Sequence, residues 1–325
     1  MKRTILFGLI AVLCGASIYI VNRNLAAQGG HPLWTAALRY GYMVVMLALV
    51  ITWWHGSVAF VGLLRCFAKH WVFFLFTGVI GSGTYYACLV FAALYAPAWV
   101  TAAAYQVGIV CSPIVLICFG RHPGRSTIIF VVVVACGGLL VNFEQMSHGE
   151  AVNMHRALIG MVLAFCACAA AHLGMQLMYE AVHGGPTWVP HVQNTTLEFA
   201  PAQVFLNSLG TLPLWAICLA IVRPGLPTKG QWGQAAISPF IGGVLGAWFF
   251  VHARTQARRP QLIAALDATP AASAVFTLIL EALVLKPRMP GWLGVCGLLL
   301  MVVAFFVHVQ LDARRVEPEI AMVEG

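Results

Sequence analysis

The stretch STIIFVVVVACGGLLVNF, residues 126–143, runs for eighteen residues without a charged side chain. A helix needs roughly 20 apolar residues to cross a bilayer core about 30 Å thick. Nine further stretches of spanning length flank this one, and together they leave only short connections, with no room for a soluble catalytic domain. The ten predicted spans lie at residues 4–22, 33–53, 71–95, 97–119, 126–143, 157–179, 200–222, 236–254, 261–284 and 291–310.

The composition is that of a membrane protein, with 61% hydrophobic and only 9% charged residues. Soluble domains hold about 45–50% apolar and about 25% charged residues. Because lipid offers no hydrogen-bond partners, each span must satisfy its own backbone, which favours helices over the shorter, alternating strands of a barrel. We therefore predict an all-α integral membrane protein.

The net charge of +8 does not indicate nucleic-acid binding, because the basic residues lie at the ends of the predicted spans. With a cytoplasmic N-terminus, eleven of them fall on the inner side of the membrane and six on the outer side. This excess predicts that both termini are cytoplasmic. The inner group is Lys2, Arg3, Arg65, Lys69, Arg121, Arg125, Arg254, Arg258, Arg259, Arg314 and Arg315, and the outer group is Arg23, Arg156, Arg223, Lys229, Lys286 and Arg288.

The sequence indicates no metal site and no cofactor. Its ten cysteines form no CxxC pair, and its eleven histidines show no ligand spacing such as HExxH. It also contains no GxxxxGK[ST] loop, which excludes ATP-driven pumping by this chain.

Two halves of the chain share a pattern. Gly78-Val79-Ile80-Gly81 in the third span corresponds to Gly243-Val244-Leu245-Gly246 in the eighth. Ser112-Pro113 in the fourth span corresponds to Thr269-Pro270 in the ninth. Because each half holds five spans, the second enters the membrane from the opposite face, and such inverted repeats are typical of secondary transporters.

This pattern sets the predicted organisation. We expect a first five-helix repeat at residues 1–147 and a second at residues 148–312. The remaining residues, 313–325, form a polar C-terminal tail that we expect to be disordered.

Pro113 and Pro270 are candidate helix breaks. Proline removes a backbone hydrogen bond and frees a carbonyl group to face a cavity. Interrupted helices at matching positions of two repeats indicate a substrate site. For each proline alone, a kink that serves only helix packing explains the sequence equally well.

Asp267 is the one aspartate within a predicted span. Ionisable residues inside membranes are costly and are functional candidates by default. We hypothesise that Asp267 binds a proton or a cation beside the break at Pro270. The alternative is a structural ion pair with Arg254 at the same side of the membrane.

Arg39 lies six residues into the second span, and three interpretations are open. It reaches the interface along its apolar stem, it attracts an anionic group of a substrate, or it pairs with Glu281 or Glu144. We expect a structural pair with one of these two glutamates.

Several polar and aromatic residues are candidates for a cavity wall, since aromatic faces bind lipophilic cations. His172, Gln176 and Tyr179 recur at i, i+4 and i+7 and so share one face of the sixth span. Hydrogen bonding between helices explains this face about as well. The other candidates are Tyr85, Tyr105 and Gln106 on the third and fourth spans and Trp248 on the eighth.

The chain resembles the ten-helix drug/metabolite transporter superfamily over residues 4–310, and within it the multidrug resistance efflux transporters. The residues that carry the resemblance are Asn22-Arg23, Gly29-Gly30, Leu38-Arg39-Tyr40, Phe91-Ala92-Ala93, Pro97-Ala98-Trp99, Gly225-Leu226-Pro227-Thr228-Lys229-Gly230 and Leu266-Asp267-Ala268-Thr269 with Glu281.

The resemblance implies a carrier of the bacterial inner membrane. It further implies that the first, third, fourth, sixth, eighth and ninth helices line a central cavity. One departure matters: the four-helix relatives carry a buried glutamate in their first helix, whereas this chain has Cys14, Ser17 and Tyr19 there and no acid. Proton exchange through that helix therefore does not transfer to this chain.

We expect a proton-coupled secondary transporter that exports drugs or metabolites by alternating access. The expected substrate is a lipophilic cation or a neutral or zwitterionic metabolite, and the other partners are protons and the lipid bilayer. Alternatives are an amino-acid or metabolite permease without drug activity, and a channel or a membrane protein that does not transport. An enzyme is not expected, since the spans hold no GxSxG and no pair of aspartates. A monomer suffices for two inverted repeats, and a homodimer stays open.

Overall fold

The structure is a computed structural model that describes residues 2–147, 151–246, 248–249, 252–253, 269–285 and 289–323. Every regular element in these ranges is helical and none is a strand, which confirms the all-α prediction for this part of the chain. The helices are α1 (Lys2–Ala27), α2 (Pro32–Lys69), α3 (Trp71–Thr77), α4 (Tyr85–Ala92), α5 (Ala98–Val107), α6 (Cys111–Cys118), α7 (Arg125–Ser147), α8 (Ala151–His183), α9 (Ala200–Val222), α10 (Lys229–Ser238), α11 (Ser273–Val284) and α12 (Trp292–Val323).

Irregular helical segments interrupt the bundle. A first π segment, Gly78–Thr84, joins α3 to α4, and a second π segment, Pro239–Leu245, follows α10. A 3₁₀ turn at Gly108–Val110 joins α5 to α6, and another at Thr269–Ala272 leads into α11. Such segments inside helices often mark functional sites.

Within the described ranges, seven continuous helical stretches are long and apolar enough to cross a membrane, and they match the first seven predicted spans. Shorter apolar helices at Thr269–Val284 and Trp292–His308 occupy parts of the predicted ninth and tenth spans. The predicted eighth span, 236–254, contains the end of α10 and the second π segment, and its last residues are described only in part.

The second helix is longer than its predicted span. It continues to Lys69 beyond a break at Gly56, where φ is +83°, a backbone angle that residues other than glycine rarely adopt. Beyond the break, Leu63 is buried and the Phe60 ring lies 5.5 Å from the Phe205 ring of α9. This packing against a neighbouring helix, which hydropathy alone does not reveal, extends the element.

The prediction of a disordered C-terminal tail is wrong for the residues that the structure describes, because α12 runs to Val323. Residues 313–323 contain Ala, Arg, Glu and Met, which are good helix formers, and a single proline. The last apolar span therefore continues as a helix beyond its membrane segment.

The two halves of the chain pack against each other through five pairs of elements. In the middle of the bundle, α1 contacts the second π segment, and α8 contacts the first π segment. Around them, α2 packs on α9, α5 on α11, and α7 on α12.

One close contact joins Gly81 of the first π segment to Gly174 of α8. A Cβ atom added to Gly174 would clash with the Cα atom of Gly81. This approach brings the backbones of the two halves together beside the middle of the bundle, and side chains at either position would separate them.

We predict that Gly174→Val destabilises the folded protein by about 1–3 kcal/mol, because its side chain would clash with backbone that has little room to move. Gly41→Val is the matched control, since a Cβ at that helical glycine meets nothing within 4 Å. Thermal unfolding of the purified protein in detergent measures both. Equal midpoints for the two variants would contradict the packing described here.

Candidate functional site: a central cavity with a buried arginine

A central cavity of about 510 Å³ lies where the two halves meet. Its volume falls within the range typical of small-molecule sites, roughly 300–1,000 Å³. Its walls come from α1, α2, both π segments, α4, α5, α8, α9, the turn at Thr269–Ala272 and α11. The second and seventh spans thus contribute to the wall in addition to the six that the resemblance implied.

Arg39 is buried in this wall, with a relative exposure of 4%. Its Nη1 donates to Ser238 Oγ, and its Cζ lies 4.3 Å from the centroid of the Tyr86 ring. Its Nε is buried without a hydrogen-bond partner among the described residues. Arg39 is therefore held on one edge and one face.

The predicted pairing of Arg39 with Glu281 or Glu144 is wrong. Glu281 accepts from the backbone N–H groups of Ala98 and Trp99, at 2.9 and 2.8 Å, at the start of α5. Glu144 accepts from those of Gly291 and Gly294, both at 2.6 Å, at the start of α12. The first turn of a helix presents unpaired N–H groups and positive dipole charge, which a carboxylate satisfies well.

Tyrosine rings form the aromatic part of the wall. Tyr85 and Tyr105 meet edge to face, with centroids 6.2 Å apart, and Tyr19 lies 6.3 Å from Tyr105. Tyr40 also lines the cavity, and its hydroxyl donates to the carbonyl oxygen of Ser82 in the first π segment at 2.8 Å. The structure thus places the predicted residues Tyr85 and Tyr105 at the cavity.

The predicted residues Gln106 and Pro270 meet at the cavity. The Nε2 group of Gln106 donates to the carbonyl oxygen of Pro270 at 2.7 Å and to Ser273 Oγ at 2.8 Å. Pro270 lies within a 3₁₀ turn, so a side chain of the first half satisfies a carbonyl group at a helix interruption in the second. Pro113 lies in α6 just after the 3₁₀ turn Gly108–Val110 and does not line the cavity.

The predicted polar face of the sixth span lies elsewhere. His172, Gln176 and Tyr179 line a separate pocket of about 220 Å³, together with residues of α6. The face of α8 that reaches the central cavity is Ala171, Gly174 and Met175. The close contact of Gly174 with Gly81 fixes this rotation of the helix.

Residues around this second pocket are paired with one another. His172 Nδ1 lies 2.8 Å from the Cys168 carbonyl oxygen, and Gln176 donates to Glu180. Glu180 also forms an ion pair with Arg121, whose guanidinium lies 4.8 Å from the Tyr179 ring. The hydrogen bonds of His172 and Gln176 thus lie within α8 itself, and the ion pair of Glu180 joins this helix to the segment that follows α6.

The structure describes one of the two remaining candidates, and that one lies outside the cavity wall. Trp248 is 44% exposed and stacks on His252, and it is not part of the wall. Asp267, like its alternative partner Arg254, lies outside the described residues.

Sequence reasoning missed a polar face on α9. Asn207 and Ser208 line the cavity, and Thr211 follows one turn later. Asn207 Oδ1, Ser208 Oγ and Thr211 Oγ1 are buried without hydrogen-bond partners among the described residues. The signal in the sequence is the recurrence of Asn207, Ser208 and Thr211 within about one helical turn of a predominantly apolar span.

A bundle of apolar helices around a polar and aromatic cavity at the junction of its two halves is the architecture of a membrane transporter of small molecules. The multidrug resistance efflux transporter (EmrE) family matches residues 2–314. The chain belongs to this family and so to the drug/metabolite transporter superfamily, which confirms the resemblance.

Three individual proteins are similar to the chain. The uncharacterized protein YjlA of Bacillus subtilis (strain 168) is 27% identical over 94% of both chains. An uncharacterized 42.1 kDa protein of Shouchella clausii is 26% identical over 79% of this chain and 66% of its own. One crystal structure shares the fold, with a TM-score of 0.61 and 17% identity, over 98% of this chain and 99% of the other.

We predict that Glu281→Gln lowers the free energy of unfolding by about 1–2 kcal/mol, because an amide presents only one acceptor to the two N–H groups at the start of α5. Glu198→Gln is the matched control, since Glu198 is exposed. Thermal unfolding in detergent compares the two variants, and an equal effect of both would rule out the capping role of Glu281.

Proposed function

We propose that this protein is a secondary active transporter that exports small molecules across the bacterial inner membrane by alternating access. The observation that carries the proposal is the central cavity, which both halves of the chain build at interrupted helices. In transporters made of inverted repeats, substrates bind at such places between the repeats.

We further propose that residues 1–147 and 148–312 are inverted five-helix repeats with ten spans in total. Their interruptions support this correspondence. The π segments Gly78–Thr84 and Pro239–Leu245 occupy the third and eighth predicted spans. The 3₁₀ turns Gly108–Val110 and Thr269–Ala272 occupy the fourth and ninth.

Alternating access requires contacts that close each end of the cavity in turn. At the end where α1 stops and α2 starts, Asn24 donates to Gln234 at 2.7 Å and Gln231 donates to Thr35 at 3.1 Å. At the opposite end, Arg121 of the first half pairs with Glu180 of the second half. We propose that these two sets of contacts open and close in alternation.

The orientation follows from the charges. The excess of Lys and Arg predicts cytoplasmic termini, which places the contact between Arg121 and Glu180 on the cytoplasmic side. The end that holds Asn24 and Gln234 is then the external side.

The transport test is counterflow in proteoliposomes. The liposomes contain an unlabelled mixture of phenylacetate, 2-phenylethylamine and phenylacetamide, and each compound is added outside in turn as a tracer. A carrier accumulates at least one tracer transiently above equilibrium, whereas a channel only equilibrates it. Absence of counterflow for all three compounds would overturn the proposed function.

Gly15→Phe connects the counterflow to the cavity. Gly15 lines the cavity, and a Cβ there meets open space, so we predict that the phenyl ring fills the cavity without disturbing the fold. Counterflow should fall by about tenfold or more, since the ring displaces a ligand of similar size. Gly41→Phe, at a glycine with equally open surroundings outside the cavity wall, should keep wild-type counterflow. Equal rates for the two variants would contradict transport through this cavity.

We propose that Asp267 couples transport to protons. Its position three residues before Pro270 in the chain supports this role, because the Pro270 turn lines the cavity. A carboxylate in a poorly solvated site exchanges protons near neutral pH more readily than one in water.

Asp267→Asn should abolish the response of transport to an imposed proton gradient and leave counterflow without a gradient intact, because the amide cannot exchange a proton. Asp312→Asn is the matched control, since Asp312 is the other aspartate of the chain. Tracer uptake with and without a pH difference across the membrane measures both. Wild-type dependence on pH in the Asp267 variant would contradict coupling through this residue.

A further inference from the structure

The cavity carries a positive charge without a described counter-charge. Arg39 is the one charged side chain among the described residues that line the cavity, and none of those residues is Asp or Glu. Glu281 and Glu144 cap helices, and Glu180 pairs with Arg121. A buried charge is costly unless an opposite charge and hydrogen bonds compensate it, so this site favours an anionic group.

Three buried polar atoms without hydrogen-bond partners among the described residues belong to side chains of the cavity wall. Arg39 Nε is a donor without a partner, and Asn207 Oδ1 and Ser208 Oγ lack partners on the α9 wall. Buried polar groups are nearly always hydrogen-bonded in folded proteins. Several exceptions in one cavity indicate places for the polar groups of a ligand.

The contacts of Arg39 favour a carboxylate over other ligand groups. Ser238 takes up one Nη1 donor and Tyr86 covers one face of the guanidinium, which fixes its plane. A fixed guanidinium presents two parallel donors that match the two oxygens of a carboxylate. One such group neutralises the single charge of the wall.

The rest of the wall suits a planar apolar body. Tyr85 and Tyr105 present ring surfaces, and Met43, Ile18 and Val204 add apolar area. A cavity of about 510 Å³ encloses a molecule with one ring and a short side chain.

We propose that the ligand of this cavity is a small carboxylate, monoanionic or zwitterionic, whose carboxylate binds Arg39 and whose planar apolar part lies against the tyrosines. The inference rests on the proposed function, in which this cavity is the transport site. It narrows the substrate classes expected from the sequence, because a lipophilic cation without a carboxylate would meet the positive charge of Arg39, beside which the described cavity wall holds no carboxylate.

Binding to the purified full-length protein in detergent tests the proposal. Isothermal titration calorimetry measures the affinity for phenylacetate, 2-phenylethylamine and phenylacetamide, which share a phenyl ring and differ in charge. We expect wild type to bind phenylacetate at least about tenfold more tightly than the other two compounds. Tighter binding of the amine, or equal binding of all three, would overturn the proposal.

Variants at position 39 identify the residue responsible. Arg39→Gln should weaken phenylacetate binding by about tenfold or more, as expected for loss of a charge-assisted pair. It should leave the affinity for phenylacetamide unchanged, which a general loss of fold would not do. Arg39→Lys keeps the positive charge but lacks the two parallel N–H donors, so its affinity for phenylacetate should lie between those of wild type and Arg39→Gln. Arg65 is exposed, and Arg65→Gln should bind phenylacetate as wild type does. Unchanged phenylacetate affinity in Arg39→Gln would overturn the proposal.

Asp267→Asn tests whether Asp267 neutralises Arg39. We expect the same preference for phenylacetate in this variant as in wild type. A preference that appears only in the variant would overturn the proposal, since Arg39 would then be paired within the protein.

The binding and counterflow experiments distinguish a failure of the proposed ligand class from a failure of the proposed transport function. Arg39-dependent binding of phenylacetate without counterflow of any compound would support the ligand class and contradict the transporter. Counterflow of the amine alone, unaffected by Arg39→Gln, would support the transporter and contradict the ligand class.

Discussion

The constraint on which this structure depends is that a membrane-embedded backbone must find all its hydrogen bonds within the protein. A regular helix satisfies this requirement through its own backbone hydrogen bonds. An interrupted helix satisfies it only where other groups of the protein supply the missing hydrogen-bond partners. Here the carbonyl oxygen of Ser82, in the first π segment, accepts from Tyr40, and that of Pro270 accepts from Gln106. In these two interruptions a side chain of another helix supplies a hydrogen bond at the central cavity, which ties the shape of the cavity to the packing of the bundle.

The same constraint determines where the buried charges lie. Glu281 and Glu144 would be costly as isolated carboxylates, and each instead accepts two backbone N–H groups at a helix start. These N–H groups have no partner within their own helices, so both sides of the contact gain. With both glutamates occupied in this way, Arg39 remains in the cavity wall, where it interacts with Ser238 and Tyr86 and keeps Nε unpaired among the described residues.

The sequence predicted the helical membrane class and its first seven spans because hydropathy over roughly 20 residues determines them. It also indicated the matching glycine-rich segments, since Gly78–Gly81 and Gly243–Gly246 stand out in composition, and both overlap π segments. Pro270 was recognised for a similar reason, because proline restricts the backbone whatever surrounds it. These are local properties that can be recognised without knowledge of the packing.

Properties that depend on packing were harder to predict. The expected partner of Arg39 was wrong because the sequence does not reveal that helix starts compete for the glutamates. His172, Gln176 and Tyr179 fit a cavity wall and hydrogen bonding about equally well from the sequence, whereas the contact between Gly81 and Gly174 turns the face of Ala171, Gly174 and Met175 to the cavity. Polar residues of α9 were overlooked because three short side chains hardly change the hydropathy of the span.

The central claim is that the two halves move about the cavity so that its ends open in turn. The most direct measurement is double electron–electron resonance, which measures the distance between two spin labels. The protein is labelled in pairs after its ten native cysteines are replaced, and it is studied in lipid nanodiscs. One label pair, at residues 27 and 226, reports on the end beside α1 and α2, and the other, at residues 122 and 183, reports on the opposite end. The account predicts two distances for each label pair. When pH or ligand changes, one pair should move from its short to its long distance while the other pair moves from its long to its short distance. A single, unchanging distance for both pairs would contradict it.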